Sequence, residues 1–213
     1  MKIAVCVKRV PDMDVRFRIG ADNLSLDEAG LKFDINDFDA WAVEAALQLK
    51  ADKVPFDGLA IAKALAEELK GGGYDLVFFG KMSPDSSNGV VGPMTAEILG
   101  LPCVTAISSL EIANGKGTAK RELEGAQEIV EFPLPAVLTV DEGLNTARYP
   151  SLKGIMAAKK KPLETRPAAL GEARVTVEAM ALPPERSGPR FVGEGSDAVP
   201  ELVRRLRTEA KVL

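Results

Sequence analysis

The sequence predicts an open, mostly parallel α/β sheet, and three stretches carry that prediction. Residues 76–79 are a short, unbroken apolar run and residues 136–140 an apolar run interrupted only by Thr139, as expected of strands covered on both faces. The first of them is followed by a polar loop containing Gly89 and by a helical pattern over residues 93–99, the strand–loop–helix order of a parallel sheet. A third apolar run, residues 3–7, opens the chain.

Taken in order, residues 3–7 form the first buried strand, and Pro11 is expected to end any strand in the loop that follows. Val15, Phe17 and Ile19 alternate with Arg16 and Arg18, a half-exposed strand pattern. Its expected partner lies around Leu31 and Phe33, beyond a turn at residues 27–30. Asn36 or Asp37 caps a helix carrying Trp41, Val43, Ala46 and Leu47. A second helix over residues 59–70 has Asp57 as its N-cap, Ile61, Leu65 and Leu69 on one face, and a stop at Gly71 to Gly73. Two helices in series, with no strand between them, break the alternation at Lys50.

Behind the central strand, Asp85, Ser86, Ser87 and Asn88 are loop and N-cap types. Pro93 suits a first helical turn, and Gly100 with Pro102 closes the helix. Unpaired N–H groups at such a helix start favour an anion, and Gly89 and Gly92 would let a phosphate come close. A strand over residues 103–112 reaches Asn114-Gly115, a strong hairpin signal, and a second tight turn falls at Glu124-Gly125. Residues 127–132 and 136–140 are further strands. Residues 141–161 are a long loop entering a short helix with a basic end. From Pro162 onward prolines isolate single elements, among them residues 175–181. Residues 197–210 form an amphipathic helix with Leu202, Val203 and Leu206 on one face, in a tail that resembles an arm more than a domain.

Composition narrows the chemistry. The 213 residues are 46% hydrophobic and 27% charged with a net charge of −4, which argues against a nucleic-acid binder. Cys6 and Cys103 are the only cysteines and imply neither a disulfide framework nor a thiolate metal site. With no histidine in the chain, Ser-His and Cys-His nucleophiles and HExxH metal sites are excluded. No run is long enough to span a membrane and the apolar start is too short for a signal peptide, so a cytoplasmic protein is expected.

The sequence resembles the beta subunit of electron transfer flavoprotein. MKIAVCVKRVPD with INDFDAWAVEAALQLK is similar to the family's first strand and capped helix. LVFFGKMSPDSSNGVVGPMTAEILGLP is similar to its nucleotide loop. RELEGAQEIVEFPLPAVLTVDEGLNTARYPSLKGIMAAKKK is similar to its signature and to the loop that recognises partner dehydrogenases. The resemblance implies a Rossmann-like, adenine-nucleotide-binding sheet with helices on both faces. Residues 1–162 would be the nucleotide-binding domain and residues 163–213 an arm packing on the alpha subunit. It implies one FAD per heterodimer, held mainly by the alpha subunit, an AMP in this subunit, and electron flow from acyl-CoA and related dehydrogenases to a membrane quinone oxidoreductase. No acid-base or nucleophilic residue is expected, because the cofactor does the chemistry.

By the same resemblance the cofactor-binding positions are Cys6, Asn36, Asp37, Phe38, Asp39, Asn88, Gly89, Val90, Val91, Gly92, Met94 and Thr95, with Met13 near the flavin. Each has a competing role. Cys6 is also a small core residue, Asn36 a helix cap and Phe38 a packing residue. Leu152 matches the family's anchor leucine, flanked by Arg148, Tyr149, Ile155 and Met156, and its competing role is to pin the loop to its own domain. The lysines 159–161 are a solvated helix end or a steering patch for acidic partners.

Two departures stand out. After Lys50 the family carries a strand, a glycine–proline turn and a helix that this chain lacks. NGVVGP stands where many relatives have a glutamine, then threonine or valine, then glycine. The alternatives are an electron-bifurcating form, with a second FAD here and NADH as donor, and a stand-alone adenine-nucleotide module. An ATP-pyrophosphatase relative is disfavoured because no SGGxDS-like loop follows the first strand.

Overall fold

The computed structural model describes residues 1–11, 17–29, 31–35, 57–146, 156, 167, 169, 171–172, 174–182, 184, 188 and 191–213. The elements in order are β1 (Ile3–Val5), β2 (Arg9–Pro11), β3 (Phe33–Ile35), α1 (Gly58–Leu69), β4 (Leu76–Gly80), α2 (Val91–Leu99), β5 (Cys103–Ala113), β6 (Lys116–Leu123), β7 (Ala126–Pro133), β8 (Ala136–Val140) and α3 (Val199–Arg205). The chain divides into two compact units, Met1–Met180 and Ala181–Leu213.

The main sheet has six strands in the order β1-β4-β8-β5-β6-β7. The first four run parallel, and β6 and β7 extend the sheet as an antiparallel meander. The mostly parallel α/β fold expected from the sequence is therefore present. Alternation along the central strands sends side chains to two cores. Leu76, Ala136, Leu138 and Val140 join Val104, Ile107, Ala119 and Phe132 on one face. Val77, Phe79 and Val137 join Ala4, Cys6 and Ala96 on the other, where Leu65 and Leu69 of α1 and Val91 of α2 cover them. Burial on both faces explains why these strands read as apolar runs.

Several local expectations are corrected. The segment before Pro11, expected as a loop, holds the short strand β2, which ends at Pro11 as expected, opposite Phe33 of β3. Proline is tolerated at such a margin because it removes only its own N–H from the ladder. A turn forms close to the expected residues 27–30, where Leu31 N–H donates to Glu28 O, and a second one lies at residues 20–25, where Gly20 N–H donates to Ser25 O and the Asp22 carboxylate accepts from Leu24 and Ser25 N–H. Ile19 accordingly bridges Leu26 rather than the segment around Phe33. Residues 175–181 form no strand or helix. The expected helix at residues 36–50 lies outside the described residues.

The unit Ala181–Leu213 holds a 3-10 turn (Ser196–Ala198), α3, and a π-turn (Leu206–Ala210) in direct succession. Glu201 accepts from both Arg204 and Arg205, one helical turn away. None of these elements has a buried residue, and Leu202 is exposed.

Candidate functional site at the carboxyl edge of the sheet

The carboxyl ends of β1, β4 and β8 lie side by side, and each feeds a polar connection. Beyond β1, Lys8 reaches the β4–α2 loop: its Nζ lies 2.8 Å from both Asp85 carboxylate oxygens and 3.0 Å from Ser83 Oγ. Beyond β4, Lys81 Nζ donates to Asp141 Oδ2 at 2.7 Å, tying that loop to the end of β8. Burial alone would raise the Asp85 pKa. Hydrogen bonds from Lys8 and Ser83, together with the Lys8 charge, bring it below the ordinary value. Ser83 is buried, shares a hydrogen bond with Ser86 Oγ, and accepts Ser87 N–H on its carbonyl. Ser87 (φ 51°) and Gly89 (φ 62°) are both left-handed, which turns the chain into α2.

The helix starts differ in a way that matters for anions. Asp57 caps α1, its Oδ1 accepting from Leu59 and Ala60 N–H, while its Oδ2 accepts Arg174 N–H at 2.7 Å. That start is already supplied with a negative charge. The start of α2 is not: its N-cap is Val90, which makes no side-chain cap bond. None of Asp85, Ser86, Ser87 and Asn88 caps it, contrary to the expectation from their types. Pro93 has no N–H to leave unpaired, and Met94 N–H already donates to Val90 O. Among the described residues, the Val90, Val91 and Gly92 N–H groups remain without acceptors. The two helix starts are neighbours, since a Cβ on Gly58 would lie 2.9 Å from Val90 Cγ2.

The candidate residues fall into distinct environments. Asn88 and Gly89 are exposed at the mouth of the site, with Val90, Val91 and Met94 half-buried behind them. Gly92 is buried, and a Cβ there would meet Thr139 Cγ2 at 2.6 Å and Phe79 Cβ at 3.3 Å. Its lack of a side chain thus serves close helix–sheet packing. Thr95 is fully buried and its hydroxyl donates to Val91 O at 2.8 Å. Cys6 places its side chain in the core and donates its N–H to Phe78 O. Met13, Asn36, Asp37, Phe38 and Asp39 lie outside the described residues, as do Arg148, Tyr149, Leu152 and Ile155. Met156 is helical and exposed. The ties made by Lys8, Ser83, Lys81 and Asp141 escaped sequence reasoning, because their partners lie 60 or more positions apart. Among the described residues no cluster of acidic, cysteine or histidine side chains could hold a metal ion, and no helix is long and apolar enough to cross a membrane.

Comparison with known proteins gives the family. Residues 51–170, more than half of the chain, match the electron transfer flavoprotein domain. The whole chain aligns with "Electron transfer flavoprotein subunit beta" of Syntrophomonas wolfei at 33% identity, covering 98% of that protein. It also aligns in full with the subunit of the same name from Bacillus subtilis, at 32% identity over all of that protein. A third, from Thermoanaerobacterium thermosaccharolyticum, is 38% identical over 71% of this chain and 63% of its own length. The Syntrophomonas alignment runs 249 positions against a chain of 213 residues, so at least 36 positions have no counterpart here. The domain match begins at residue 51, directly after the break in pattern at Lys50. On the shared domain and these full-length alignments, the chain belongs to the electron transfer flavoprotein family, among its beta subunits.

Proposed function

We propose that this chain is the beta subunit of a heterodimeric electron transfer flavoprotein and binds AMP at its sheet edge. Its electrons come from acyl-CoA and related dehydrogenases, as in fatty acid β-oxidation, and pass to a membrane quinone oxidoreductase. The observation that carries the nucleotide reading is the uncapped start of α2. Among the described residues, three N–H groups at the carboxyl edge of the sheet lack acceptors, while the neighbouring α1 start is capped by Asp57. Such a trio fits a phosphate, and in this class of sheet ligands bind beyond the carboxyl ends of the strands. In this reading Val90, Val91 and Gly92 donate to the phosphate through their backbones, and Gly89 gives the chain its left-handed approach. Met94 and Thr95 shape the helix start from within. Cys6 flanks the nucleotide by its backbone, with Asn36, Asp37, Phe38 and Asp39 beside it.

An FAD held mainly by the alpha subunit supplies the redox chemistry when bound, and Met13 and Phe38 are the residues of this chain assigned to contact it. Residues 163–213 act as an arm on the alpha subunit, consistent with a terminal helix that buries none of its own residues. Leu152, with Arg148, Tyr149, Ile155 and the exposed Met156, forms the surface that docks partner dehydrogenases in the cytoplasm. The test is to co-express the chain with its alpha subunit, purify the complex, denature it and count the released cofactors. One FAD and one AMP per heterodimer are expected. Two FAD and no AMP would replace this reading with the bifurcating form, in which NADH is the donor. A stable monomer that binds AMP and no alpha subunit would leave only a nucleotide-binding module.

A further inference from the structure

Lys8 has no assigned part in the nucleotide site, yet it is the described side chain that joins the two loops flanking it. β1 and β4 are adjacent and parallel, with Val5 opposite Phe78. Lys8 leaves the β1 side of the sheet edge and meets three acceptor atoms on the β4 side, both oxygens of Asp85 and Ser83 Oγ. The receiving loop is already a tight turn, closed by Ser87 N–H to Ser83 O at 2.7 Å and by the Ser83–Ser86 hydroxyl pair. Lys8 therefore ties down a formed turn, at the point from which the chain enters the uncapped start of α2. Among the described residues, Lys81 and Asp141 at the neighbouring strand ends are paired with each other across β4 and β8.

We propose that Lys8 is a positioning residue of the nucleotide site: it acts through Asp85 and Ser83 to hold the β4–α2 loop so that the Val90, Val91 and Gly92 N–H groups are pre-arranged for a phosphate. This rests on the nucleotide reading above. The alternative for a lysine beside an anion site is a direct ion pair with the phosphate, and the two roles respond oppositely to Asp85. A lysine that pairs with the phosphate is held back by Asp85, so removing that carboxylate charge would strengthen nucleotide binding. A lysine that positions the loop loses its grip when Asp85 is neutralised, so binding weakens. Both side chains of the pair are about one-third exposed, at 33% and 28%, so each loss is modest in size.

The experiment uses the nucleotide-stripped heterodimer and measures AMP and adenosine binding by calorimetry for the wild type, K8M, K8R, D85N and the K8M/D85N double variant. K8M and D85N are each expected to weaken AMP binding about two- to fivefold, the size that an ion pair of this exposure carries. The double variant is expected to be no weaker than either single one. Adenosine, which lacks the phosphate, should bind all of them alike, and K8R should recover most of the loss. Hydrogen exchange at residues 87–92 should quicken in K8M without nucleotide, a readout independent of binding. Tighter or unchanged AMP binding in D85N would overturn the positioning role. So would a K8M variant that binds AMP as the wild type does. Wild-type heterodimer that binds no AMP would instead overturn the nucleotide reading itself, and this inference with it.

Discussion

Gly89 and Gly92 lie three positions apart and exclude a side chain for different physical reasons. At Gly89 the obstacle is conformational: φ is 62°, a region that costs an L-residue roughly 1–2 kcal/mol. At Gly92 the obstacle is space, because Thr139 Cγ2 already lies 2.6 Å from where a Cβ would sit. Gly92→Ala should therefore push α2 off the sheet and cost about 1–3 kcal/mol in urea melts, the size of an overpacked core. Thr139→Ser, which removes the clashing methyl, should recover part of that loss, whereas it should do nothing for Gly89→Ala. Asp57 allows an equally specific prediction. Its N-cap bonds to α1 can be kept by asparagine, whose carbonyl oxygen still accepts, but the bond from Arg174 N–H needs the second carboxylate oxygen. That backbone donor is the main reason the Asp57 pKa falls below its ordinary 3.8, against the upward push of burial. A lowered folded-state value means that the stability contributed is present above about pH 3.8 and lost as pH falls through the folded value. The gap in denaturation midpoint between wild type and Asp57→Asn should accordingly be full at pH 7 and close below pH 3.8. A gap that stays constant across that range would show that the carboxylate charge contributes nothing at this position.

The meander of β5, β6 and β7 depends on two contacts made between strands rather than within them. Gly117 of β6 leaves room for Phe132 of β7, whose ring would stand 2.2 Å from a Cβ at that position. Gly117→Ala should cost about 1–3 kcal/mol, and Phe132→Leu should cost less in that background than alone, which a double-mutant cycle measures directly. The second contact repairs an irregularity in β5. Ala106 has a left-handed φ of 54° where the register with β8 shifts, and its N–H donates to the buried Thr139 hydroxyl at 2.8 Å. Thr139→Val keeps the shape but orphans that N–H, at a cost of about 1–3 kcal/mol in thermal melts. These two contacts also mark how far the sequence could be read. The hairpin at Asn114-Gly115 was legible because both residues adopt the positive φ their types favour, 51° and 76°. The strand β8 was legible from its mostly apolar run, AVLTV. The bulge at Ala106 was not, since alanine carries no preference for a left-handed backbone. Nor was the cap of α2, where Asp85, Ser86 and Ser87 serve the turn and Lys8 while Val90 opens the helix. Lys8 and Asp85 stand 77 positions apart, and only the pairing of β1 with β4 brings them together.

The division of the chain into two units has a thermodynamic consequence. Every described residue of both hydrophobic cores lies in the unit Met1–Met180, and the described elements of Ala181–Leu213 bury none. A chain held together mainly by apolar burial should then keep its cooperative unfolding when the second unit is removed. The segment leading out of the first unit is fastened within it, by Arg174 N–H to Asp57 and by Met180 N–H to Asn23 O at 2.8 Å. A cut just beyond Met180 therefore spares both ties. The second unit has no such resource. Its α-helix is seven residues long, and the Glu201 pairs with Arg204 and Arg205 that support it are exposed. Hydrogen bonds from those two arginines lower the Glu201 pKa to about 2. Exposed pairs of this kind nevertheless do not offset the cost of nucleating a short helix in water. A chain ending at Ala181 should unfold in a single transition within a few degrees of the full-length protein, and a peptide of residues 181–213 should show little helical circular dichroism on its own. A large drop in melting temperature on truncation would overturn that expectation. A helical isolated peptide would mean that its local pairs suffice, and that its order does not wait for another surface.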